Sequence, residues 1–134
     1  MKNKTVMFSV EELYVMCMII EWFIKDNNAI TKAFNDNKND EETNNLAINL
    51  LVLNRLYNKF DKVLTDHNYD DLDDMQFMIH KHDCFDVDIV EGIEDRVLLG
   101  VLDGLVANDA LEPQGINVCM NVISSLDIQD YDWF

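Results

Sequence analysis

Two runs in this chain hold side chains that could do metal chemistry. His80-Lys81-His82-Asp83-Cys84 brings transition-metal ligand types close together in sequence. In an extended strand His80, His82 and Cys84 would point the same way, as a tetrahedral Zn²⁺ site needs, with His67 or Asp66 as a fourth ligand. In a helix they would diverge. Asp70-Asp71-Leu72-Asp73-Asp74 offers the hard carboxylate oxygens that Mg²⁺ and Ca²⁺ prefer. A calcium loop begun at Asp66 would put Asp71 where glycine is demanded and Phe77 where the bidentate glutamate belongs, so the EF-hand pattern fails. The plainer assignments are a polar helix end with ordinary histidines for the first run, and helix capping plus a solvated acidic surface for the second. No metal, cofactor or catalytic residue is assigned, and no serine or cysteine stands in a legible nucleophile arrangement with a histidine and an acid.

The placement of charge is more informative than either run. Of 26 Asp and Glu residues, 17 follow position 64, where only Lys81 and Arg96 oppose them. That part carries −15 of the formal net charge of −16, while residues 1–64 are nearly neutral. A body so charged repels polyanions and attracts basic grooves. Direct binding of nucleic acid is disfavoured, because phosphate contacts need Lys and Arg and most of the 10 present lie in the neutral half. The converse fits better: carboxylates on a rigid helical scaffold can approximate the charge spacing of a duplex backbone and occupy a basic nucleic-acid-binding protein surface. The residues assigned to such partner contacts are Asp70, Asp71, Asp73, Asp74, Asp86, Asp88, Glu91, Glu94 and Asp95. Each alone would matter little; the set would act mainly on association rate.

Two other readings remain in play. A structural or oligomeric accessory protein would use an apolar helix face and form a homodimer. A Mg-dependent enzyme would use Glu91, Glu94 and Asp95, which fall on roughly one side of a helix begun at Asp88, as carboxylate pairs do in all-α nucleotide pyrophosphohydrolases. Those folds also need an acidic pair on a facing helix, for which Glu11 and Glu12 are the candidates, and bases to hold phosphate, which the acidic half lacks. The terminal run Asp127-Ile128-Gln129-Asp130-Tyr131-Asp132-Trp133-Phe134 resembles in composition the acidic, phenylalanine-ending tails by which bacterial single-stranded-DNA-binding proteins recruit partners. The favoured alternative packs Tyr131, Trp133 and Phe134 back on the helices.

These residues need elements to position them. Ser9 with Glu12 makes a capping box and Phe8 with Leu13 a hydrophobic staple, so a helix is expected over about 10–26, apolar almost all round. A short continuation spans Ala29–Phe34, and the Asn-rich stretch 34–45 reads as a loop. A stripe from Leu46 to Leu64 predicts a helix over about 41–65. Asp70 or Asp71 can cap a third helix with Leu72, Met75, Met78 or Ile79 inward, and a strand over Met75–His82 is the alternative. From Asp88 the stripe Val90 to Val106 predicts a fourth helix, in which the Gly100–Gly104 spacing would let another backbone approach closely. Glu112-Pro113 opens the fifth.

The expectation is an all-α, compact, single-domain bundle of about five helices over residues 1–134, with a short strand around 75–84 as its one variation. The most apolar run, Leu13–Ile24, is too short to span a membrane and contains Glu21. Three widely spaced cysteines read as free thiols in a reducing cytoplasm. The asparagine-rich bias is that of AT-rich coding sequences, common in bacteria, phages and viruses. In size, acidity and bias alone the chain resembles phage and mobile-element inhibitors of CRISPR or restriction systems, which are often small, acidic, non-enzymatic binding proteins, and the expectation is a protein that acts by nucleic-acid mimicry.

Overall fold

Ser9 and Glu12 open the first helix as a reciprocal pair: the Glu12 amide donates to Ser9 Oγ at 3.1 Å and the Ser9 amide to Glu12 Oε1 at 2.7 Å. Phe8 and Leu13, the staple, are both fully buried. The computed structural model describes residues 2–26 and 41–126, with the side chains of 41–44 and 46 left aside. Strand β1 (Asn3–Ser9) runs directly into α1 (Val10–Asp26). Then come α2 (Glu41–Asp66), α3 (Asp74–His80), β2 (Cys84–Val90), α4 (Glu94–Ala107) and α5 (Pro113–Leu126). The expected continuation at 29–34, most of the loop at 34–45 and the terminal run 127–134 lie outside the described residues.

The fold is mostly helical, as expected, but all-α is a correction: β1 and β2 pair antiparallel, with Asn3 opposite Val90 and Ser9 opposite Cys84. Both strands alternate. Val6, Phe8, Val87 and Ile89 point into the core, while Thr5, Met7, Asp86 and Asp88 face out. The strand therefore lies at 84–90 and not over Met75–His82, which is largely α3, and the fourth helix begins at Glu94 instead of Asp88. The cap of α3 is Asp73, not Asp70 or Asp71: its carboxylate accepts from the Gln76 amide at 2.8 Å while Gln76 reaches back to the Asp73 amide.

One apolar core draws on the sheet and the four longer helices. Phe8 of β1 meets Phe60 of α2 edge-on with ring centres 5.0 Å apart, and both are fully buried, which ties the sheet to the longest helix. The turn at 81–83 is held to the start of α1 by two backbone bonds, from Val10 to the Asp83 carbonyl and from Glu11 to the Lys81 carbonyl. Free amides at a helix start thus anchor the segment that joins α3 to β2.

Candidate partner-binding surface

The nine assigned carboxylates divide by direction. Glu94 and Asp95 are turned inward, 0% and 2% exposed, and this corrects their assignment as partner contacts. The reason is local. Ile93 has no side chain able to cap α4, so the next two residues do the work: Glu94 Oε1 accepts from the Val90 amide and Asp95 Oδ1 from the Gly92 amide, each at 2.8 Å. Gly92 takes a φ of 86°, which closes the turn and disfavours other residues there. Lysines from the neutral half complete both groups. Lys59 Nζ bonds Glu94 Oε1, and Lys4 Nζ lies 2.9 Å from Asp95 Oδ2. Part of the acidic half's charge is thereby neutralised inside the molecule.

The other seven are exposed. Asp70, Asp71, Asp73 and Asp74 occupy the loop between α2 and α3 and the first residue of α3. That loop is pinned to the start of β2: His67 packs on Phe85 with ring centres 4.1 Å apart, and Tyr69 lies 5.7 Å from the same ring. Tyr14 in α1 donates to the Tyr69 carbonyl. Burial raises the Tyr14 hydroxyl pKa, and the charges of Asp70 and Asp71 add to the rise. Asp86 and Asp88 then project from the outer face of β2, where Asp88 accepts from Thr5 Oγ1 at 3.0 Å, and Glu91 follows in the turn. The acidic residues thus follow consecutive elements, from the α2–α3 loop along β2 to the turn before α4.

Sequence periodicity misassigned the apolar side of α3. Met75, Met78 and Ile79, expected inward, are 75%, 60% and 67% exposed, and the helix is held instead by Phe77, which meets Tyr14 edge-on at 5.3 Å. With only seven residues, α3 has too little length for its stripe to decide which side packs. The result is a ridge of flexible apolar side chains beside the four aspartates, a pattern typical of contact surfaces.

The metal constellations do not form. His80 ends α3, His82 sits in the turn and Cys84 begins β2, so they share no strand. His80 Nδ1 lies 2.9 Å from Asp83 Oδ2, which also accepts from the Tyr69 hydroxyl at 3.0 Å. Those bonds, His80 first, hold the Asp83 carboxyl below the ordinary carboxylate range. Among the described residues no three His, Cys, Asp or Glu side chains are placed to hold a metal ion. Asp88, Glu91 and Glu94 lie on a strand, a turn and a helix start, so the one-sided helical row that the hydrolase reading needs is absent.

A second surface feature lies away from these groups. An open groove of about 640 Å³ runs between the end of α1, the first half of α2 and the outer side of α4, lined chiefly by Trp22, Phe23, Val97, Val101 and Leu105. No protein family, curated protein or solved structure matches the chain. Among the described residues no helix is long and apolar enough to cross a membrane.

Proposed function

We propose that this chain is a non-enzymatic acidic binding protein that occupies a basic surface on a nucleic-acid-processing protein, as a phage or mobile-element inhibitor of the anti-CRISPR or anti-restriction kind. The observation that carries this reading is the run of seven exposed carboxylates over consecutive elements, with an exposed Met75, Met78 and Ile79 ridge among them. A basic groove supplies the long-range attraction, and an apolar patch within it supplies the contact that lasts. Affinity capture from the native host with duplex DNA as competitor tests it. Displacement of the captured protein by DNA is the expected result, together with weakened capture when Asp70, Asp71, Asp73 and Asp74 are all changed to Lys. Capture indifferent to both DNA and the fourfold reversal would reject the reading.

A further inference from the structure

We propose that a second copy of this chain covers the groove, with the two α4 helices crossing antiparallel about a two-fold axis beside Gly100. The groove floor is apolar, and Trp22 at its edge is 53% exposed. An exposed indole at the edge of an apolar groove marks a surface suited to being covered by a partner.

Charge identifies the occupant. Arg96 lines the groove and is one of only two bases after position 64. Asp103 is exposed seven residues further along α4, two helical turns away and therefore on the same flank. A two-fold crossing midway between them sets Arg96 of each copy opposite Asp103 of the other, giving two equivalent ion pairs. Self-complementarity of this kind is what an isologous interface requires. The midpoint falls next to Gly100. A Cβ added at Gly100 or Gly104 would meet nothing within 4 Å, so packing within the chain demands neither glycine. Each nonetheless weakens the helix relative to alanine. A second helix laid across this strip gives that absence of side chains a use, because it lets the two backbones come close.

Sedimentation equilibrium of the purified chain at about 0.15 M salt, from low to high micromolar, is the test. The wild type should dimerise. Arg96→Asp and Asp103→Arg should each raise the dimer dissociation constant about tenfold or more, since each turns two attractive pairs into two repulsive ones. The double variant R96D/D103R should restore it, a rescue that general damage to the fold would not produce. Gly100→Leu, at an exposed position, should leave the helical circular dichroism intact and abolish the dimer. A monomer at every concentration would overturn the proposal. A dimer unchanged by the single reversals, or not rescued by the double variant, would equally overturn it.

Discussion

Changing Lys59 to Met should destabilise this protein more than the loss of one half-exposed lysine would suggest. Lys59 Nζ bonds Glu94 Oε1 and the Asp88 carbonyl, the latter at 2.9 Å, and so joins α2 to both β2 and α4. Glu94 has no exposed surface, and its Oε2 has no hydrogen-bond partner among the described residues. Without the ammonium, the carboxylate keeps only the Val90 amide, with Arg55 Nε at 4.0 Å. Removing one partner of a buried pair costs about 3–5 kcal/mol. Lys59 is itself 32% exposed, and Arg55 can swing in from solvent, so screening brings the expected loss to about 3 kcal/mol. For a domain of this size that is a large share of a total stability near 5–15 kcal/mol, and lowers the melting temperature by roughly 10 °C. Methionine retains the stem's packing, so the loss reports the charge. The double variant K59M/E94Q keeps an acceptor for the Val90 amide while removing the stranded charge, and should recover most of the deficit, with a coupling of about 2 kcal/mol. Urea unfolding followed by circular dichroism measures all three proteins. A loss below about 1 kcal/mol for K59M, or a double variant no more stable than K59M, would refute the role given to this pair.

Thiol labelling provides an independent check on burial. Burial, with Asp61 and Glu21 nearby, pushes the Cys17 thiol up to about 12, and burial also raises Cys119, whereas Cys84 is exposed on β2. Iodoacetamide near pH 8 should therefore modify Cys84 alone in the native protein and all three in urea; a second thiol reacting natively at a similar rate would contradict the packing of α1 or α5. Stability should also carry a signature of Asp83. Its carboxyl pKa is depressed in the fold, so its contribution is present above the ordinary carboxylate range and is lost as pH falls through the depressed value. Asp83→Asn should consequently be less stable than wild type at neutral pH and converge with it in acid, by urea midpoints measured from about pH 7 down to about pH 2. A constant gap across that range would sink the assignment.

Much of the helical scaffold was legible because local signals agreed with packing. The capping box at Ser9 and the long stripe from Leu46 to Leu64 gave α1 and α2 nearly their observed bounds, since each buried face repeats over several turns. The sheet was missed for the opposite reason. Asn3–Ser9 and Cys84–Val90 each alternate over only seven residues, and each becomes a strand by pairing with a partner some eighty positions away. The strict alternation of Phe85, Val87 and Ile89 with Asp86 and Asp88 is nevertheless a local strand signal, and the helical stripe counted from Asp88 overlaps only its end. The inward turn of Glu94 and Asp95 was not legible at all. Their counter-ions, Lys4 and Lys59, arrive from β1 and α2, and no spacing rule links residues that meet only through the tertiary fold.

Charge density decides what kind of contact the acidic surface can make. Asp86 and Asp88 project from one face of β2 and are therefore about 6.6 Å apart along it. B-DNA carries one charge per about 1.7 Å of axis, so this row reaches roughly a quarter of the duplex density, too sparse to fill a duplex-binding groove by charge alone. Asp70, Asp71, Asp73 and Asp74 are denser, but beside them stand Met75, Met78 and Ile79, and no phosphate backbone presents such a ridge. The two components should accordingly separate in kinetics. Met78→Ala together with Ile79→Ala should speed dissociation from a captured target about tenfold or more while leaving association unchanged. Reversal of the four aspartates should slow association several-fold and flatten its dependence on salt, with little effect on dissociation. If truncating the ridge leaves the dissociation rate unchanged, the target is held by charge alone, and α3 is only the support on which its flanking carboxylates are mounted.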